Sequence, residues 1–205
     1  MTYATDMAWE RRTAPLLAES LQSQYGGRVQ PASLQDDRFH GTDFFWNRNN
    51  KTYRLAARVR KAACGKAQFS TGLVGGLRTP KAAFLQYKDD CTIREDRPHS
   101  DQITELEKIR AGDWANLYAY AFSDGRSILH WSLFRMSRFN SEAPFTYMPG
   151  FGPGNSADTV TRIYHISGQP DGFLLALAAP CWGARGATIT TNAIPTYQDQ
   201  KRTVA

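Results

Sequence analysis

One aspartate and a row of arginines are the residues whose types and spacing could do chemistry in this chain. Side chains alternate across a β-strand, so Arg54, Arg58 and Arg60 share one face of the segment 52–61. Asp43 lies beside this row if segments 41–46 and 52–61 pair with each other. A guanidinium can neutralise a phosphate through its fork of donors, so the row indicates contact with an anion.

A β-hairpin must position these side chains. The residues of 52–61 that alternate with the arginines are apolar and predict a buried face, namely Tyr53, Leu55, Ala57 and Val59. The polar segment 47–51 is typical of a turn. A helix is predicted over 9–25, where Leu16, Leu17 and Leu21 form a stripe that Gly26-Gly27 ends. Pro15 is awkward inside that helix and suits its first turn.

The middle of the chain is expected to alternate strands with one helix. We predict a basic loop over 62–80, short strands over 84–87 and 91–94, and an amphipathic helix over 103–110. Ser100-Asp101 forms a candidate N-cap of that helix, and Gly112 ends it. The Asp-Gly pair at 124–125 between apolar runs 117–122 and 128–134 predicts a second hairpin.

The composition of the chain limits the classes of function that it can have. The chain has 205 residues, 41% of them hydrophobic, and a net charge of +6, so it can bury a core and favours an anionic partner such as nucleic acid. Its three cysteines are far apart, which argues against a disulfide framework or a zinc knuckle and favours a reducing cytoplasm. The sequence shows no signal-peptide pattern and no apolar run of about twenty residues, so neither secretion nor membrane insertion is expected.

Three regions are predicted along the chain. Residues 1–140 form the core domain, 141–157 a Gly/Pro-rich loop or linker, and 158–205 a β-rich C-terminal extension with a frayed tail. The extension could complete the sheet of the core domain or build a surface for a partner. Strands are expected near 162–166 and 173–179.

Several short motifs in residues 9–140 carry a family resemblance. They are Gly41-Thr42-Asp43, Leu55-Ala56-Ala57-Arg58-Val59-Arg60, Thr92-Ile93-Arg94, Thr104-Glu105-Leu106-Glu107-Lys108-Ile109 and Asp113-Trp114. This wording resembles phage, mobile-element or bacterial proteins related to the restriction-endonuclease-like, or PD-(D/E)XK, nucleases. The resemblance implies an α/β (α+β) fold, in which helices flank a mixed central sheet.

The family chemistry would be phosphodiester hydrolysis with Mg²⁺, which carboxylates hold. On the family pattern Asp43 matches the first metal-binding acid, Ala56 occupies the position of the second acid, and Arg58 that of the lysine. Alanine offers no ligand, and arginine stays protonated. The pattern is therefore degenerate.

Three functions follow from this departure. In the first, the site is inactive and binds DNA or RNA phosphates through a basic face, comprising Arg54, Arg58, Arg60, Lys61 and Arg94. In the second, Glu19 or Glu105 supplies the missing acid beside Asp43, and the protein is an active Mg²⁺-dependent endonuclease. In the third, the protein is an interaction subunit of a phage or defence complex, with a protein partner or as a homo-oligomer.

Each of these residues could also have a purely structural role. Asp43 could be an ordinary strand-end residue, and the arginine row a solvent-facing edge that discourages strand addition. Arg94, Glu105 and Lys108 could form an ion-pair cluster around the helix at 103–110. The four histidines lack metal-ligand spacing, so none is assigned to a metal.

Overall fold

The fold is mixed α+β, with a mixed central sheet and few helices. A computed structural model describes residues 3–61, 90–96, 103–148, 160–180 and 187–191. The helices within these ranges are α1 (Tyr3–Tyr25), α2 (Leu34–His40) and α3 (Glu105–Arg110). The strands are β1 (Arg28–Pro31), β2 (Phe44–Arg48), β3 (Lys51–Lys61), β4 (Asp90–Asp96), β5 (Leu117–Ser123), β6 (Ile128–Arg135), β7 (Phe145–Tyr147), β8 (Val160–His165), β9 (Leu174–Pro180) and β10 (Ala187–Thr191).

The strands form two sheets. Seven strands lie in the order β1-β2-β3-β5-β6-β9-β10, and β4-β8-β7 form a three-stranded sheet. The central pair β3 and β5 is parallel, whereas the other neighbours are antiparallel. A parallel pair needs a crossover, and the chain between β3 and β5 includes β4 and α3.

Helix α1 packs on one face of the large sheet. Leu17 and Leu21 are fully buried, and they belong to a cluster with Leu55 and Val59 of β3. The helix ends at Gly26, where φ is +69° and the backbone N–H donates to the Gln22 carbonyl. The predicted end is confirmed, but Pro15 lies inside the helix and not in its first turn.

The hairpin of β2 and β3 is confirmed. Its register pairs Phe44 with Leu55 at one end and Arg48 with Lys51 at the other. The two turn residues, Asn49 and Asn50, have φ of +49° and +57°. Both central residues of a type I′ turn need positive φ, which asparagine tolerates better than most residues.

A second core lies on the opposite face of the large sheet. Tyr118, Phe122 and Phe134 of β5 and β6 pack there with Tyr164 of β8. The predicted hairpin of β5 and β6 is confirmed, and Asp124 accepts hydrogen bonds from the backbone N–H groups of the turn. The small sheet and α3 contribute to this core, so they cover the face that carries Arg58.

Several predictions need correction. The N-cap of α3 is Thr104, whose hydroxyl accepts from the Glu107 N–H, and not the Ser100-Asp101 pair. Ile103 was expected in the apolar stripe but is 56% exposed, because the helix begins after it. Strands β1, β7 and β10 and helix α2 were not predicted; β7 falls within the expected 141–157 loop. The predicted strand at 84–87, the loop at 62–80 and the frayed tail lie outside the described residues.

The C-terminal region completes both sheets. Strand β9 pairs with β6, and β8 pairs with β4, so each joins a strand from before residue 140. The strands expected near 162–166 and 173–179 are confirmed as β8 and β9. None of the helices in the described ranges combines the length and apolar character needed to cross a membrane.

Candidate functional site

The arginine cluster is the group formed by Arg58, Arg60 and Arg94 around Thr92 and Glu105. It lies between β3, β4 and the first turn of α3. Alternation along β3 turns Arg58 and Arg60 to the same face as the buried Ala56, as the sequence predicts. Arg94 comes from β4, two residues after Thr92, so it also follows this alternation.

Arg58 is enclosed by its partners. Its Nη1 donates to the Thr92 carbonyl at 3.3 Å and to the Thr92 hydroxyl at 3.2 Å, and its Nη2 pairs with Glu105 Oε1. Only 8% of Arg58 is exposed. Burial by itself would lower the pKa of Arg58, but the Glu105 carboxylate reverses this effect and raises it above its ordinary value.

Glu105 is held at the start of α3 by the capping box of Thr104 and Glu107. Its Oε2 accepts from the Arg94 backbone N–H at 2.8 Å, and its Oε1 lies 3.8 Å from Arg94 Nε. Burial alone would raise the pKa of Glu105, but Arg58 and Arg94 outweigh burial and lower it. Both carboxylate oxygens are therefore engaged, and Glu105 is charged at neutral pH.

Arg60 differs from Arg58 in its relation to Glu105: its charge helps to lower the pKa of Glu105, but the two side chains are not paired. Its Nη2 donates to the Thr92 hydroxyl at 2.9 Å, and its guanidinium carbon lies 6.0 Å from the centre of the Tyr120 ring. Its Nε is buried and makes no hydrogen bond to any described residue. Within the described ranges Arg60 forms no ion pair. Among the described residues, the cluster thus has three guanidinium groups around one carboxylate, and one buried donor without a hydrogen bond.

Arg54 belongs to a separate group. Its Nη2 donates to the Trp114 carbonyl at 2.8 Å, and its Nη1 lies 3.6 Å from Asp113 Oδ1. The same carboxylate oxygen lies 2.8 Å from His40 Nδ1. Arg54 is therefore on the predicted face, but its charge is compensated by Asp113.

Lys61 is on the opposite face of β3, which corrects its place in the predicted basic face. Its Nζ lies 5.2 Å from the centre of the Trp9 ring on α1. Trp9 itself donates from Nε1 to the Val59 carbonyl at 2.9 Å. The reason is the alternation of a strand, which separates Lys61 from its neighbour Arg60.

Asp43 immediately precedes β2, which lies between β1 and β3 in the large sheet. Its backbone N–H donates to the Leu55 carbonyl at 3.0 Å, and its Oδ2 accepts from the Ala57 N–H at 2.7 Å. Burial raises the pKa of Asp43 to about 7, although the Ala57 bond lowers it; nearby carboxylates add to the rise. These carboxylates are Asp37, Glu10 and Glu105.

The predicted acids converge only in part. The charge of Glu105 reaches Asp43, but both oxygens of Glu105 are bonded elsewhere. Glu19 is exposed on α1, and no hydrogen bond or ion pair in the described part of the chain joins it to Asp43. On α1, the acid whose charge raises the pKa of Asp43 is Glu10. No three His, Cys, Asp or Glu residues among those described are grouped so that they could hold a metal ion.

Three residues around the candidate site were not singled out from the sequence. Thr92 is the shared acceptor of Arg58 and Arg60, and its alternation with Arg94 in Thr-Ile-Arg was the available signal. Glu10 is exposed, but it precedes the buried Thr13 and Leu17 on α1 by one and two turns, a spacing that could have indicated it. Lys108 is buried and donates to the Asp37 carbonyl at 3.3 Å and to that of Arg38, at the end of α2. The structural alternative of an ion-pair cluster around this helix therefore fits Arg94 and Glu105. Lys108 donates to backbone carbonyls.

Comparison of the chain with protein-family models, with curated proteins and with solved structures gave no match in any of the three.

Proposed function

We propose that this protein binds nucleic acid, with Arg60 as the main contact to a phosphate. The observation that carries the proposal is that Arg60 is only partly buried and forms no ion pair with any described residue. A phosphate oxygen bound by this guanidinium would form a charge-assisted hydrogen bond with it and neutralise its charge. Arg94 adds a second guanidinium to the same cluster.

Arg58 has a different role in this proposal from the one expected in sequence. It is buried and bonded to Glu105 and Thr92, so it positions the cluster and does not reach the ligand. Thr92 accepts from both Arg58 and Arg60, which holds the Arg60 guanidinium in place. A preorganised arginine loses less entropy when it binds a phosphate.

The order of elements supports a restriction-endonuclease-like ancestry as part of the proposal. A helix, three strands, a helix and a strand occur in chain order as α1, β1 to β3, α3 and β5, with α2 inserted between β1 and β2 and β4 inserted before α3. The strands run in the spatial order β1-β2-β3-β5. Asp43 immediately precedes β2, and the family resemblance would put its first acid at the start of the second strand.

A binding titration tests this function. Labelled single- and double-stranded DNA and RNA would be titrated with the wild type, Arg60→Ala and the control Arg138→Ala, at several salt concentrations. Arg138 is exposed on the other side of the molecule along β6 and has no ion pair among the described residues, so both variants remove one positive charge. We expect Arg60→Ala alone to weaken binding about tenfold and to reduce the salt slope by about one.

Equal loss in both variants would contradict the proposal, because it would show that net charge and not the cluster binds the polymer. If no nucleic acid binds in a salt-dependent way and a stable protein partner is recovered instead, the interaction-subunit function replaces it.

Metal-dependent cutting is the second candidate. Glu10, Asp37 and Glu105 all raise the pKa of Asp43, and a divalent cation relieves such repulsion between carboxylates. The fit to Mg²⁺ is incomplete, since Glu105 is engaged by Arg58 and by Arg94. Cleavage assays with Mg²⁺ or Mn²⁺ on the wild type and on Asp43→Ala decide it. Cutting that disappears in the variant supports an endonuclease, and no cutting of any substrate rejects one.

A further inference from the structure

A histidine, an aspartate and an arginine form a second polar group outside the arginine cluster. His40 Nδ1 lies 2.8 Å from Asp113 Oδ1, and Arg54 Nη1 lies 3.6 Å from the same oxygen. His40 is the last residue of α2, Asp113 lies just after α3, and Arg54 lies in the first half of β3. Arg54 and Arg60 share a face of β3 but are about 20 Å apart along the strand. The two groups are therefore separate, although both arginines face the same side of the large sheet.

The tautomer of His40 follows from its partner. An ionised carboxylate accepts hydrogen bonds and cannot donate them, so in the neutral ring Nδ1 carries the proton and Nε2 has a lone pair. Nε2 makes no hydrogen bond to any residue that the structure describes, and 38% of the side chain is exposed. An imidazole that a carboxylate orients through Nδ1 is able to accept a proton from a substrate at Nε2.

All three side chains are held next to one buried residue, Trp114. Gly41, directly after His40, packs so closely on this indole that a Cβ there would lie 1.9 Å from its nitrogen. Arg54 Nη2 donates to the Trp114 carbonyl at 2.8 Å, and Asp113 directly precedes Trp114 in the chain. Because Trp114 is buried, it fixes the positions of the three groups relative to one another. Such preorganisation is what a reacting group and its substrate contact require.

Arg54 can hold an anion beside the imidazole. Its Nη1 is too far from Asp113 for a hydrogen bond and donates to no other described residue, so its hydrogens can reach an external acceptor. The single negative charge of Asp113 is shared between Arg54 and His40. When His40 accepts a proton, the group changes from neutral to positively charged. This change stabilises a substrate that gains negative charge in the same step.

We propose that His40 is the general base of a ribonuclease reaction that needs no metal ion, with Arg54 as the contact to the scissile phosphate. The proposal rests on the proposed binding of nucleic acid and names RNA as the substrate, since only RNA has a 2′-hydroxyl beside the phosphate. His40 Nε2 takes the proton of this hydroxyl, and O2′ forms a bond to phosphorus while the bond from phosphorus to O5′ breaks. The products are a 2′,3′-cyclic phosphate and a 5′-hydroxyl, whose oxygen takes its proton from water. The imidazolium then returns its proton to the hydroxide ion that remains.

Cleavage of a labelled RNA oligonucleotide by the full chain in EDTA tests this activity. A DNA oligonucleotide of the same base sequence is the substrate control, because it has no 2′-hydroxyl. We expect the wild type to cut only the RNA and to leave a 2′,3′-cyclic phosphate, which mass spectrometry identifies. His40→Gln can still donate a hydrogen bond to Asp113 but is not a base, so it should lower the cleavage rate at least about 100-fold. The affinity of this variant for RNA should stay close to that of the wild type.

A second histidine-aspartate pair provides the matched control. His165 Nδ1 lies beside Asp90 Oδ1 in the small sheet, and His165→Gln should cut RNA at the wild-type rate. His40→Asn replaces His40→Gln if thermal unfolding shows that the latter does not fold. RNA that is bound but not cut in EDTA, cutting of the DNA, or an unchanged rate in the folded His40 variant would overturn the ribonuclease. Absence of RNA binding by the wild type would instead contradict the proposed function on which it rests.

Discussion

The single contact between Arg58 and Glu105 determines how much of the arginine row can meet a ligand. A buried pair recovers its desolvation cost only when the remaining donors and acceptors are also bonded. Here Thr92 accepts from Arg58, and the Arg94 N–H donates to Glu105. Removing one partner would leave the other charge buried and uncompensated.

The first prediction concerns this pair. Glu105→Gln keeps the shape of the side chain but removes its charge, so Arg58 is left as a buried cation without a counter-ion. We expect the free energy of unfolding to fall by about 3 kcal/mol in chemical denaturation. Glu142→Gln is the matched control, because Glu142 pairs with Arg110 on the surface and should contribute little. Equal effects of the two substitutions would show that the buried pair has no special weight.

The second prediction concerns the pH dependence of stability. The pKa of Asp43 is about 7 in the folded protein and about 3.9 in an unfolded chain, so the folded state binds this proton more tightly. Its contribution to stability is therefore full below about pH 4, falls as the pH rises towards 7 and is lost above that. Asp43→Asn should raise the free energy of unfolding at pH 8 by on the order of 2 kcal/mol and should give no such gain at pH 4.

Denaturation of both proteins across this pH range checks the sign. Glu105 contributes in the opposite direction, because its lowered pKa makes its stabilisation disappear as the pH falls. The difference between wild type and Asp43→Asn isolates Asp43 from that effect. Asp171→Asn, at an exposed position, should leave the profile unchanged. A difference that does not vary with pH would contradict the raised pKa.

At the scale of elements, α2 connects the hairpin to α3. The helix has no buried side chain, so it is held from its end: Lys108 donates to the carbonyls of Asp37 and Arg38. The helix ends at Gly41, which has φ of +57° and donates its N–H to the Asp37 carbonyl. The chain then turns directly into Asp43 and β2.

The third prediction tests this turn. A Cβ at Gly41 would lie 1.9 Å from Trp114 Nε1, so Gly41→Ala adds a collision with a buried indole to the cost of positive φ. Gly112→Ala is the matched control, since its φ is +73° and a Cβ there meets nothing within 4 Å. We expect the control to cost about 1 kcal/mol and Gly41→Ala about 1–3 kcal/mol more, measured by thermal unfolding. Similar costs would mean that Trp114 moves aside freely.

At the scale of the whole molecule, the two sheets tie the ends of the chain together. Strand β9 pairs with β6, and β8 pairs with β4, so the core on the arginine side contains residues from both halves. Phe173 stacks on Phe134 with 4.7 Å between ring centres. Loss of the C-terminal strands would expose β6 as an edge and uncover Phe134.

The fourth prediction is that a fragment ending at residue 148 does not fold cooperatively. It lacks β8 and β9, which pair with β4 and β6 respectively. Circular dichroism and a thermal scan of this fragment, compared with one that ends at residue 191 and keeps both strands, check the result. A cooperative transition in the shorter fragment would show that residues 1–140 are an independent domain, as composition suggested.

Local signals predicted the local elements. The hairpins follow from alternation and from turn residues that adopt positive φ or accept backbone hydrogen bonds, as Asn49, Asn50 and Asp124 do. Helix α2 was not predicted because it has no apolar stripe, and none of its side chains is buried. The predicted start of α3 is too early because Ser100-Asp101 and Thr104 are both suitable N-cap residues in sequence. The hydrogen bonds between Thr104 and Glu107, which only the structure shows, identify Thr104 as the N-cap.

The sequence by itself determined which residues share a face of β3, because alternation is a property of the strand alone. It also determined the positive charge of that face and the end of α1 at Gly26. Only the tertiary structure decided which arginines stay available. Glu105 is 47 residues from Arg58 along the chain, and Thr92 is 34, and both cover the row through contacts that no local pattern encodes. Burial depends on what packs against a face, which encloses Arg58 and leaves Arg60 partly exposed, with no ion pair to a described residue.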